Sequence, residues 1–207
     1  MPIRSASGLS VSSASAAASS VMCRAMRPVC QSGRVLEIAR VADVTSLREL
    51  QEGDADRVRD AFVSDAVEMS RQGDVRDLAS ARAYVDRMLD NADLRTLVAV
   101  DDADRLLAFA AVSVDRANAN GWVFYWAHPD ARRRGITSQV VRALADRELG
   151  EGGLYRLELG YRANNPGSAA VARAAGFVRE GLEREKFLVD GERIDVITAA
   201  RLKTDPA

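Results

Sequence analysis

The chain has 207 residues, 47% of them hydrophobic and 29% charged, enough apolar material for one substantial core plus an appendage. Its formal net charge of −1 argues against a general electrostatic grip on nucleic acid. No apolar run approaches the ~18 residues of a membrane span, one histidine cannot build a histidine metal site, and Cys23 and Cys30 have neither zinc nor redox spacing.

The first 33 residues are rich in Ser and Ala, and the first acidic residue is Glu37. Such a stretch is expected to be a disordered tail. Its positive, acid-free composition also fits an organelle-targeting segment, or a start placed upstream of Met22 or Met26, and these origins stay open. Residues 34–204 read as one globular domain.

In chain order, RVLEIARV (34–41) predicts a first strand, and DVTSLRELQ (43–51) and DADRVRDAFVSDAVEMS (54–70) predict two helices. DLASARAYVDRMLD (77–90) predicts a third. TLVAVDD and LLAFAAVSVD form a hairpin across the polar turn at Asp101 to Asp104, and GWVFYWAH is a fourth strand, apolar almost throughout and therefore central.

ITSQVVRALADREL (136–149) is helical, with Ile136, Val140 and Leu144 at four-residue intervals. GLYRLELGY is a fifth strand. NNPGSAAVARAAGF is a short helix capped by Asn165, with Pro166 in its first turn and Gly176 ending it. VREGLEREKFLVDG and ERIDVITAARL close the chain as a hairpin turning at Asp190-Gly191. The order predicts a mixed α/β (α+β) domain, antiparallel first and partly parallel later.

The chemistry concentrates where the fourth strand passes through Arg132-Arg133-Arg134-Gly135 into a helix. The first amides of a helix have no intrahelical acceptor and sit at the positive end of its dipole. Gly135 lets an anion approach the backbone, the arginines add charge, and Thr137 and Ser138 add hydroxyl donors, which is how a pyrophosphate is held without a metal. On these residues alone, a solvated arginine turn competes with that reading. Neither G-x-x-x-x-G-K-[ST] nor G-x-G-x-x-G occurs.

RRRGIT matches the R-x-x-G-x-G/A element of the GNAT superfamily of acyl-CoA N-acyltransferases. FYWAHPDARRRGITSQVVRAL resembles the strand-to-helix core of its RimJ/RimL branch. LELGYRANNPGSAAVARAAGFVREG is similar to that branch's next strand, N-x-x-S helix and G-F-x-x-E-G, and FLVDGERIDVITAARL to its closing hairpin. The resemblance covers about residues 35 to 203 and implies a GNAT fold: a central mixed, mostly antiparallel sheet, splayed between the fourth and fifth strands and flanked by helices.

The resemblance further implies an acetyl-CoA-dependent N-acetyltransferase. The amides of Arg133, Arg134, Gly135, Ile136, Thr137 and Ser138, with the Arg132 side chain nearby, would hold the coenzyme A pyrophosphate. The backbone of Trp126, Ala127 and His128 would pair with the pantetheine arm. Asn165 would contact the coenzyme beside the thioester, and Ser168 would protonate the leaving thiolate. Three positions depart from the pattern: Arg133 replaces a glycine, Thr137 a smaller residue, and Ala172 stands where many members carry a tyrosine acid.

Amide formation needs a neutral amine in line with the thioester, so a carboxylate or water must take a proton. Glu158 is the first choice for that base, because alternation turns it from the face of Leu157 and Leu159, though pairing with Arg156 or Arg162 is an equal alternative. Glu185 and Asp195 on the closing hairpin follow, and His128 has a suitable titration range. The acceptor is a protein N-terminus or a small amine such as an antibiotic, amino acid or polyamine. The competing function is a non-catalytic acyl-CoA-binding module. No metal, nucleic acid or membrane partner is expected; the protein is expected to be cytoplasmic, as a monomer or homodimer.

Overall fold

Residues 46–206 are described by the computed structural model; the Ser/Ala-rich tail and the strand expected at 34–41 lie outside them. The elements run β1 (Ser46–Arg48), α1 (Ala55–Ser64), α2 (Ala66–Met69), α3 (Leu78–Asp90), β2 (Leu94–Val100), β3 (Leu106–Asp115), β4 (Asn120–Ala127), α4 (Ile136–Leu149), β5 (Arg156–Arg162), α5 (Pro166–Ala174), β6 (Val178–Val189) and β7 (Glu192–Leu202). The strands form one sheet in the order β1-β2-β3-β4-β5-β7-β6. Every neighbouring pair is antiparallel except β4 and β5, which run parallel.

The sheet separates two apolar layers. One face packs under α4 and α5 through Ile136, Val140, Val141, Leu144, Leu157 and Leu159. The other packs under α1 and α3 through Val58, Phe62, Tyr84, Val85, Phe109 and Trp126. Phe109 and Trp126 stack with ring centroids 5.5 Å apart, joining β3 to β4 beneath Phe62.

Two expected helices are corrected. Residues 46–48, read as part of a helix over 43–51, form an edge strand against Val98–Val100. Leu47 and Leu50 carry helical spacing, yet they enter opposite layers, Leu47 toward α4 and Leu50 toward α1 and α3. A strand passing the sheet edge achieves this, whereas one face of a helix does not. The helix expected over 54–70 breaks at Asp65, whose backbone leaves helical geometry (φ −147°, ψ 61°) and whose carboxylate accepts the Glu68 N–H at 3.5 Å. An aspartate that satisfies the backbone locally competes with helix continuation, and here it starts a separate turn.

The feature that positions the site is a splay. β4 and β5 pair only from Asn120 to Trp122 and from Arg156 to Glu158, after which the strands part. The His128 N–H still donates to the Leu107 carbonyl of β3. Alternation along β4 therefore directs the N–H and C=O groups of Tyr125 and Ala127 away from β3, to the edge that β5 has left open.

Candidate active site

The end of β4, the N-termini of α4 and α5, and α2 enclose a cleft of about 570 Å³. Of the residues expected to bind the coenzyme, Trp126, Ala127, Arg132, Arg133, Gly135, Thr137, Ser138 and Asn165 line it, and so does Ser168. Ile136 is not among the lining residues, and its side chain is buried in the core.

Gly135 caps α4 with a left-handed backbone (φ 76°), and a Cβ built there meets no atom within 4 Å. The conformation favours glycine, and the missing side chain leaves the amides of the first helical turn open to the cleft. Arg133 is also left-handed (φ 60°), which accounts for the glycine expected at its position. The donors gathered here are amides, two hydroxyls and a guanidinium at the positive end of a helix, a set that fits a pyrophosphate.

The Arg132 side chain is engaged. It forms an ion pair with Asp65, which caps α2, and its Nε donates to the Ala127 carbonyl at 3.4 Å. Arg134 lies outside the lining and donates to the Asp130 carbonyl at 3.3 Å. On the facing wall, Asn165 accepts the Ser168 N–H through Oδ1 at 2.9 Å, capping α5 and leaving Nδ2 as its donor.

His128 does not line the cleft; it is 6% exposed, with Nδ1 bonded to Asp130 and Nε2 buried without a partner among the described residues. Burial, then the Arg57 guanidinium, lowers the His128 pKa more than Asp130 and Asp60 raise it. The unfolded chain thus binds this proton more readily, so stability holds above the ordinary histidine pKa and is lost as pH falls through the lowered one. Thermal midpoints should drop as pH falls below about 6.5 in the wild type and change less in His128→Gln. An identical slope in the variant would assign the loss to other groups.

None of the candidate bases from the sequence, Glu158, Glu185, Asp195 and His128, lines the cleft. Glu158 sits where the splay begins, opposite Trp122 and Ala200, and accepts from Arg156 Nε at 2.5 Å while Arg156 also pairs with Glu180. Glu185 stands on the exposed hairpin in a left-handed conformation (φ 55°), its N–H donating to Asp195 Oδ1 at 2.8 Å. The carboxylate that does line the cleft is Glu68 of α2, held by Arg162 at 3.0 Å. Glu68 follows the break at Asp65, of which a continuous helical pattern gives no sign. Tyr125 also lines the cleft, as do Met69 and Gln72.

A family model described as acetyltransferase (GNAT) domain matches residues 45–178. The probable N-acetyltransferase YjcK of Bacillus subtilis (strain 168) is 26% identical over 124 residues, covering 59% of this chain and 68% of that protein. Among solved structures, RimL, a ribosomal L7/L12 alpha-N-protein acetyltransferase in complex with coenzyme A, superposes with a TM-score of 0.70 at 19% identity, covering 82% of this chain and 98% of RimL. The microcin C7 self immunity acetyltransferase MccE, in complex with acetyl-CoA and AMP, gives 0.67 at 16% identity, covering 78% and 93%. At these identities the structural likenesses speak for the fold.

Proposed function

Since the chain belongs to the acetyltransferase (GNAT) domain family and is an acyl-CoA-dependent N-acetyltransferase, we propose that it moves the acetyl group of acetyl-CoA directly onto a primary amine. The observation that carries this reading is the open N-terminus of α4 meeting the unpaired edge of β4 in one cleft. Acetyl-CoA supplies an activated acyl group. The chain supplies the amides of residues 133–138 for the pyrophosphate, the β4 edge groups of Tyr125 and Ala127 for the pantetheine arm and the carbonyl oxygen, and Asn165 and Ser168 beside the sulfur.

The acceptor enters from the α2 side, where Glu68 offers the incoming ammonium a carboxylate. Its proton leaves through the open mouth to solvent. Coenzyme A in RimL and acetyl-CoA in MccE support the co-substrate. RimL's protein N-terminus supports a peptide acceptor, whereas spermidine N-acetyltransferase of Vibrio cholerae, a further structural neighbour, supports a small polyamine.

Acetyl-CoA incubated with N-terminal peptides and small amines should give an acetyl adduct by mass spectrometry together with thiol release. Tight coenzyme binding without release for any amine would replace this reading with a non-catalytic acyl-CoA-binding module. With the identified amine, Glu68→Gln should raise the amine KM ~10-fold at unchanged acetyl-CoA Kd. In the same assay Glu158→Gln should keep kcat within about threefold, and a loss of about 100-fold would return proton removal to β5.

A further inference from the structure

We infer that Tyr125 is a catalytic residue whose hydroxyl donates a hydrogen bond to the departing sulfur; this rests on the acetyl-CoA reading above. Alternation along β4 puts the Tyr125 side chain on the α4 and α5 face, where it packs against that core layer and lines the cleft. Its Oη–H reaches the Ser168 carbonyl in the first turn of α5 at 3.4 Å. That is long for a hydroxyl donor, so the bond is readily exchanged for a better acceptor. Ser168 lines the same cleft, so Tyr125 reaches it at the first turn of α5, the positive end of that helix.

The helix itself cannot supply a phenol. Ala172 is 1% exposed and fills the core, so a tyrosine there would have to displace packed neighbours. β4 delivers the phenol from the opposite wall instead.

The chemistry fixes the kind of help given. Burial pushes the Tyr125 hydroxyl up to about 12, so it stays protonated at neutral pH. A thiol with an ordinary pKa of ~8.5 does not take a proton from so weak an acid. As the amine lone pair forms the C–N bond, the C–S bonding pair leaves with sulfur, and one proton passes from the amine to solvent. Tyr125 keeps its own proton and shares it with the thiolate.

The test reads the thiol directly. Wild type and Tyr125→Phe are saturated with coenzyme A and titrated by ultraviolet thiolate absorbance. The bound thiol should titrate about one unit higher in the variant, as expected for loss of one charge-assisted hydrogen bond. With acetyl-CoA and the identified amine, kcat should fall ~10- to 100-fold, with coenzyme Kd within about twofold. Fluorotyrosine at the same position keeps the shape, strengthens the donor and should move the bound thiol the other way. A thiol titrating at the same pH in all three proteins would overturn the role of Tyr125. Failure of the wild type to bind coenzyme A would instead overturn the acetyl-CoA reading.

Discussion

Replacing Gly135 with glutamate is expected to abolish acetyl-CoA binding, weakening Kd by more than about 100-fold, while the domain stays folded. Two effects separate here. A side chain at φ 76° adopts the left-handed region at a cost of about 1–2 kcal/mol, but its Cβ enters open space, so no neighbour has to move. The carboxylate then stands at the helix terminus proposed to hold the pyrophosphate. Two like charges about 4 Å apart repel by about 4 kcal/mol at an effective dielectric constant of about 20. Gly135→Ala carries the backbone cost without the charge and serves as the control. Calorimetry against acetyl-CoA with thermal unfolding in parallel separates the two, and an unchanged Kd in Gly135→Glu would move the pyrophosphate site elsewhere.

The second large effect lies at the far end of the same helix. Glu148 is 2% exposed and sits in the last turn of α4, where the helix dipole disfavours a carboxylate. Arg95 of β2 pairs with it and also donates to the Gly152 carbonyl at 2.9 Å. Arg147 donates to Glu148 Oε1 at 2.9 Å and to the Thr96 carbonyl at 3.2 Å. Glu148→Ala leaves Arg95 part-buried without its counter-charge and opens a void, so a loss of about 3 kcal/mol is expected, the lower end for a broken buried pair because both arginines keep some solvent. Urea unfolding measures it; a change below about 0.5 kcal/mol would mean that solvent replaces the carboxylate. Gly152 belongs to this arrangement, since a Cβ there would collide with the Glu148 backbone and carboxylate.

What could be read from the sequence was what local chemistry determines. The α4 bounds follow from Gly135 and the apolar stripe, and the closing hairpin from Asp190-Gly191, both left-handed as the tight turn needs. Alternation placed Glu158 opposite Leu157 and Leu159, and both leucines are buried while Glu158 is half-exposed. The misreadings arose where a partner distant in sequence decides. Leu47 and Leu50 carry helical spacing, but pairing with β2 turns residues 46–48 into a strand. The break at Asp65 goes with its ion pair to Arg132, 67 residues further on. Glu148 left a legible trace: it continues the Val141–Leu144 stripe, and a charge on an apolar stripe asks for a partner. Which residue answers is a tertiary fact.

The two lips of the splay are joined by α2. Asp65 ties it to Arg132 beside the α4 terminus, Glu68 ties it to Arg162 at the end of β5, and Met69 is buried beneath. Four residues are too few to hold helical form unaided. Each tie involves partly exposed groups, is worth at most about 1 kcal/mol, and weakens as salt screens it. The apolar anchor at Met69 has no such dependence. The strap over the mouth is therefore fastened by forces that answer differently to the medium: dilute buffer tightens its charged ends, while the apolar anchor at Met69 holds at any salt concentration.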